Sequence, residues 1–317
     1  MELLHSMLLQ RRFEERCAEA YALGKIGGFC HLYIGQEAVS TGTLSMLRPD
    51  DYVITTYRDH GQAIARGITP RAVMAELFGR QDGCVRGKGG SMHMFDANTN
   101  FLGGHGIVGG HVPLAAGVGF AIKYRGGDQC IVCFMGESVV NTGAFHEALN
   151  MAALWKLPCV FIIENNRYGM GTSLERASAI HDIYERGAAY NMARQQCDGQ
   201  DVHTVRAAVG EAVARARKEQ HPTLLEIRTY RFMGHSMSDA VSGTYRTKAE
   251  LEEYMKRDPI TLLRERMESN GTLSEAQLQS MDTEIKAVVQ DAWDFADASP
   301  ELPLEALYED VYADTST

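Results

Sequence analysis

The sequence predicts an α/β fold built on a mainly parallel sheet. Residues 130–135 and 159–163 are short apolar runs of buried-strand type. Between them the apolar residues take helical spacing, with Phe145, Ala148, Leu149, Ala152 and Trp155 on one face. A strand, helix, strand unit makes its two strands parallel and its crossover right-handed. The third observation is what stands at the strand ends. The first run stops at Gly136-Glu137-Ser138 and the second at Glu164-Asn165-Asn166-Arg167-Tyr168-Gly169. In a parallel sheet the ligand lies beyond the carboxyl ends of the strands. Glu137 and Asn166 are therefore expected side by side at one edge.

The remaining elements follow in chain order. Residues 1–24 read as a helix, with Leu3, Leu4, Met7, Leu8, Phe13 and Tyr21 near helical spacing and glycines at 24, 27 and 28 to stop it. A second helix opens at 35–38 and runs to about 46. Residues 51–56 are a short strand whose carboxyl end carries Tyr57-Arg58-Asp59-His60-Gly61, followed by one helix to Phe78. Residues 79–111 are rich in glycine, which permits close backbone approach. They run into Pro113 and a helix over 114–124, apolar nearly all round and so expected to be buried. Residues 181–196 show little period, and 197–199 read as a turn. Residues 202–218 read as a helix and 223–230 as a strand, ending in Arg231-Phe232-Met233-Gly234-His235-Ser236. The chain divides into an α/β domain over 1–246 with its N-terminal helix, and a polar-faced helical extension over 247–317, suited to packing and subunit contact.

Bulk properties narrow the function. The 317 residues carry a net charge of −10, which argues against a nucleic-acid surface. No apolar run reaches the roughly 18 residues a membrane span needs, and Met1 leads straight into a helix with no signal or transit pattern. Cys130 and Cys133 form a C-x-x-C inside a strand, so alternation puts them on opposite faces, as small buried hydrophobes rather than a disulfide or zinc pair. A reducing compartment fits: bacterial cytoplasm by preference, or the mitochondrial matrix after processing.

A carboxylate, an amide oxygen and a backbone carbonyl at the sheet edge form a hard oxygen set, suited to Mg²⁺ or Ca²⁺ bridged to a diphosphate. Amides near residues 141–143 add donors for an anion, and Arg58 can fork two hydrogen bonds onto a phosphate. Taken singly, Glu137 is equally a helix-start acid, Asn166 a turn residue, His31 a structural donor and Arg58 an exposed turn residue.

Four motifs in order change that balance. Gly136-Glu137-Ser138 with the later Asn165-Asn166 resembles the thiamine-diphosphate motif, and NMAALWKLPCVFIIENNRYGMGTS at 150–173, GKGGSMHM at 87–94 and GHSMSD at 234–239 are similar to the same family. The chain resembles alpha subunits of the pyruvate dehydrogenase (acetyl-transferring) component, in the thiamine-diphosphate-dependent 2-oxo acid dehydrogenase family. The resemblance implies a three-layer α/β/α thiamine-diphosphate-binding fold with helical N- and C-terminal extensions. It implies Mg²⁺ on Glu137, Asn166 and Tyr168, and the cofactor against Tyr57, Arg58, Gly106, Val108, Glu137, Ser138, Val139, Asn166, Tyr168 and His235. Val108 would wedge the cofactor into its bent shape. His31 would face the 2-oxo acid, and His31 and His235 would assist proton and acyl transfer. The implied partners are a beta subunit, in an α2β2 heterotetramer, and a lipoyl acyltransferase component. Glu137-Ser138 stands where the family usually has Asp-Gly, and Ala240 where it commonly has Pro. Ser236 matches a serine that mitochondrial relatives phosphorylate, although it reads equally as a plain loop serine. Other readings are an acetoin or branched-chain 2-oxo acid dehydrogenase alpha subunit, or a non-catalytic scaffold that binds diphosphate.

Overall fold

A computed structural model of the chain describes residues 1–312. Helices α1 (Glu2–Ala22) and α2 (Glu37–Leu44) precede strand β1 (Tyr52–Thr56), and α3 (His60–Arg66) and α4 (Pro70–Leu77) follow it. Next come β2 (Phe101–His105), α5 (His111–Tyr124), β3 (Ile131–Gly136), α6 (Gly143–Leu154) and β4 (Cys159–Asn165). A small hairpin, β5 (Tyr168–Gly169) and β6 (Thr172–Ser173), leads through the single-turn α7 (Leu174–Ala177) to β7 (Ala193–Asp198), α8 (Val202–Glu219) and β8 (Thr223–Arg228). Helices α9 (Lys248–Met255), α10 (Pro259–Ser269) and α11 (Glu275–Ala298) complete the fold.

Six strands pair in the order β2-β1-β3-β4-β8-β7, and every pairing is parallel. Alternation along the strands builds a core on each face. Val132, Phe134, Val160 and Ile162 pack with apolar residues of α1, α2, α4, α8 and α11. Ile131, Cys133, Met135, Phe161 and Ile163 pack against α5 and α6. The result is three layers, α/β/α, and each buried Val, Ile or Phe contributes roughly 1.5–3 kcal/mol. Cys130 lies in the first core and Cys133 in the second, as alternation requires, and all seven cysteines are free. Among the described residues, no helix is long and apolar enough to cross a membrane.

The C-terminal helices fold back onto the N-terminal ones. Ile285, Val289 and Ala292 of α11 share a core with Leu4, Met7 and Phe13 of α1 and Val73 of α4. Their starts are fixed locally: Asp258 accepts from the amides of Ile260 and Thr261 ahead of α10, and Ser274 and Gln277 form a capping box at α11.

Several expectations need correction. Residues 101–105 and 193–198 are strands, not glycine-rich loop and unpatterned chain, and they are the two edges of the sheet. The single helix expected before Phe78 is two, because Gly67 takes φ 112° and Pro70 restarts the chain. Helix α5 is not buried all round: Leu114, Phe120 and Tyr124 are exposed. Trp155 caps α6 and is 42% exposed rather than on its buried face.

Candidate active site

The chain runs from β1 to β2 on one side of the sheet and then to β3 on the other, so the direction of winding switches between β1 and β3. At the carboxyl ends of these strands, where ligands of such sheets bind, lies a cavity of about 500 Å³. Every residue singled out from the sequence lines it: His31, Tyr57, Arg58, Gly106, Val108, Glu137, Ser138, Val139, Asn166, Tyr168 and His235. Strand register explains the meeting of the two central motifs. Gly136 of β3 pairs with Glu164 of β4, so Glu137 and Asn166 leave adjacent strand tips together.

Glu137 is 3% exposed, and its Oε1 has no hydrogen-bond partner among the described residues. Burial raises its pKa, against lowering influences that include the Asn166 amide and Arg231. A buried carboxylate with an orphaned oxygen is costly unless a cation or donor joins it. Asn166 Nδ2 donates to Gln36 Oε1 at 3.2 Å, which fixes the amide; its oxygen accepts from the Tyr168 amide at 3.4 Å and keeps a second lone pair for a ligand. The Tyr168 carbonyl accepts from Arg231 Nη1 at 3.3 Å, while the Tyr168 phenol turns away to Glu250 at 2.9 Å. These are three hard oxygens, so the donor set fits a small divalent cation.

The aromatic side of the cavity is built from three loops. The His31 and His235 rings stand edge to face with centroids 5.0 Å apart, and Tyr57 lies 4.6 Å from His31 and 5.7 Å from His235. Burial, with the nearby Arg58 charge, lowers the His31 pKa to about 2 and the His235 pKa to about 4. Both imidazoles are therefore neutral at physiological pH. The Nδ1 atoms of both are without a partner among the described residues.

Arg58 is placed differently from the simple expectation of a phosphate fork. Its guanidinium donates to the Leu32 carbonyl at 2.7 Å and the His235 carbonyl at 2.8 Å. It therefore ties together the loops that carry the two histidines, with further N–H donors left for a ligand. The expected amide donors at 141–143 are partly used as well: the Thr142 amide donates to the Val139 carbonyl at 2.9 Å. Ser236 is buried, and its hydroxyl lies 2.9 Å from Asp239 Oδ2.

Sequence reasoning missed other lining residues. Glu164, buried beneath Gln62 and the Tyr33 hydroxyl, has its pKa pushed up to about 7 by burial. Arg231 is 1% exposed and donates to the carbonyls of Tyr168, Met170 and Met233 and to the Tyr245 hydroxyl. Both are charged residues at the tips of apolar strands, which is itself a signal of a site. His105 and His111, stacked with centroids 5.7 Å apart, had no such signal. The glycine-rich motif at 87–94 is largely structural. Its Gly87, Gly89 and Gly90 amides, with that of Val85, donate at 2.8–2.9 Å to the buried carboxylate of Glu76.

Comparison with known proteins agrees with this geometry. The family model for the dehydrogenase E1 component matches residues 5–305. The pyruvate dehydrogenase E1 component subunit alpha of Rhizobium meliloti is 49% identical over 96% of this chain and 87% of its own length. The corresponding subunit of Rickettsia bellii is 46% identical over 96% and 93%. The chloroplastic alpha-3 subunit of Arabidopsis thaliana is 46% identical over 99% and 74%. The chain with this strand-tip cavity therefore belongs to the dehydrogenase E1 component family.

Proposed function

We propose that the chain is the alpha subunit of a thiamine-diphosphate-dependent 2-oxo acid dehydrogenase that decarboxylates pyruvate and acetylates the lipoyl group of an acyltransferase component. The observation that carries this reading is the buried Glu137 carboxylate, its Oε1 unpartnered among the described residues, beside the Asn166 amide at the switch point of the sheet. Glu137, Asn166 and the Tyr168 carbonyl would hold Mg²⁺. Tyr57, Arg58, Ser138, Val139 and His235 would surround the diphosphate end, and Gly106 and Val108 the organic end. When bound, the cofactor supplies the carbanion-stabilising chemistry that no protein side chain provides.

The chain's own residues bind, orient and exclude water. His31 and His235, neutral and with Nδ1 atoms unpartnered among the described residues, offer hydrogen-bonding atoms beside the substrate. Val108 is 47% exposed and Ile107 79% exposed at the rim, a mouth that a beta subunit in an α2β2 assembly would cover. Free thiols, buried at every cysteine but Cys84, suit a cytoplasmic protein.

The test is reconstitution. With a beta subunit present, calorimetry should show thiamine diphosphate binding that requires Mg²⁺, and pyruvate should turn over. The chain alone should be inactive. A preference for acetoin or 2-oxoisovalerate in the reconstituted enzyme would replace pyruvate as substrate. Absence of metal-dependent cofactor binding would leave only a scaffold.

A further inference from the structure

Helix α1 buries two polar residues, Gln10 and Glu14: Gln10 bonds to Ser40 and Thr41 of α2, and Glu14 faces the segment that carries His31. Glu14 is 1% exposed and uses both carboxylate oxygens. Its Oε1 accepts from the Tyr33 amide at 2.7 Å, two residues beyond His31. Its Oε2 lies 2.9 Å from His60 Nδ1. The other nitrogen of His60 lies 2.8 Å from Ser91 Oγ and 3.2 Å from the Ser91 carbonyl. Ser91 Oγ in turn accepts from the His31 amide at 3.4 Å. A carboxylate faces one ring nitrogen of His60 and a carbonyl the other, so the imidazolium satisfies both. Burial opposes that charge, but Glu14, Asp59 and the Ser91 carbonyl together outweigh it and the His60 pKa is raised.

We propose that Glu14 is a positioning residue for His31: it grips the backbone directly at Tyr33 and, through His60 and Ser91, at His31 itself. The proposal rests on the reading of His31 as a substrate contact. Segment 27–36 has no helix or strand of its own, so its geometry depends on such anchors. Two other readings of the cluster fit less well. Ser91, His60 and Glu14 have the order of a hydrolytic triad, but Ser91 does not line the cavity. Glu14, Cys17 and His60 could approach one metal ion, yet burial keeps the Cys17 thiol protonated and His60 has both nitrogens engaged.

The test is a double-mutant cycle in the enzyme assembled with its beta subunit, Mg²⁺ and thiamine diphosphate. Ser91→Ala and Glu14→Gln should each lower kcat/KM for the 2-oxo acid about tenfold, with cofactor affinity unchanged within about twofold. In a His31→Ala background neither should have a further effect. Additive losses on His31→Ala, or full activity in both single variants while His31→Ala is impaired, would overturn the positioning role alone. A silent His31→Ala would remove the substrate reading, and the proposal with it. If neither variant assembles with the beta subunit, the network serves folding and the proposal fails.

Discussion

The Ser138 side chain occupies the space that a Cβ on Gly169 would need. A methyl built there would overlap Ser138 Oγ and stand 3.0 Å from Ser138 Cβ. The serine that departs from the Gly-acid-Gly pattern is thus matched by a glycine on the neighbouring hairpin. Gly169→Ala alone should destabilise the chain by about 1–3 kcal/mol, the range for overpacking a tight site. Adding Ser138→Gly should recover most of that loss. Urea unfolding of the two single variants and the double variant measures the coupling. Independent, additive effects would show that the two residues do not share the space.

Glu76 makes a second, separable prediction. Its carboxylate accepts from four backbone amides of the glycine-rich loop, and Gly83 lies so close that a Cβ would stand 2.6 Å from the Glu76 Cα. Glu76→Gln keeps one acceptor and turns an NH₂ group toward backbone donors. It should cost about 2–4 kcal/mol, since hydrogen bonds to a charged group are worth about 1.5–3 kcal/mol each and orphaned donors add to the loss. Cofactor affinity of the folded enzyme should stay within about threefold, because the four amides that bind Glu76 do not include Met92, the residue of this loop that lines the cavity. A large loss of affinity without loss of stability would place the loop in the binding site.

How legible the molecule is from its sequence follows from where each element sits. The interior strands β3 and β4 are apolar on both faces and stand out as runs. The edge strands β2 and β7 read Phe-Leu-Gly-Gly-His and Ala-Arg-Gln-Gln-Cys-Asp, and pairing on one side only left them no apolar signature. Helix α5 reads as buried because a sequence does not distinguish a core face from an apolar face left exposed. In the site, Glu137 and Asn166 are named by their motif, whereas the partners that bury Glu164, Tyr33 and Gln62, and those that engage Arg231, Tyr168 and Met170, lie far from them in sequence. Glu14 was the most readable omission: it falls on the apolar face of α1, between Phe13 and Cys17, where an acid needs a partner.

The histidines predict a pH response with a definite sign. An ordinary imidazole titrates near 6.5, whereas the folded chain holds His31 at about 2 and His235 at about 4. Between those values and 6.5 the unfolded chain binds more protons, so these residues lower stability as pH falls below 6.5. Asp59 and Glu164, raised to about 7 by burial, work in the opposite direction: they stabilise as pH falls through 7. The histidine share is isolated by comparison. Without cofactor, His235→Gln should gain stability relative to the parent chain as pH drops from 7 to about 5. Nitrogen chemical shifts of His31 and His235 should report neutral rings throughout that range. An imidazolium signal from either at pH 6 would contradict the burial argument.

Glu137 should show function set against stability. With no cation bound, its Oε1 is buried and has no partner among the described residues, and burial has raised its pKa. The charged form is therefore a liability at neutral pH, and one that vanishes as pH falls through the raised folded value toward the ordinary carboxylate range. Glu137→Gln keeps the shape and removes the charge. In the chain without metal it should raise stability at pH 7.5 by roughly 0.5–2 kcal/mol, as substitutions that relieve a functional site often do. The same change removes the one anionic ligand of the proposed cation site. Metal-dependent thiamine diphosphate binding should fall by more than the roughly 10–100-fold that loss of an outer-shell partner costs. Denaturation with and without Mg²⁺ and cofactor reads both effects in one experiment: the parent chain should be stabilised by the ligands and the variant should not. A variant that is less stable without ligands, yet still stabilised by Mg²⁺ and cofactor, would mean that Glu137 serves the fold and that the cation is held elsewhere.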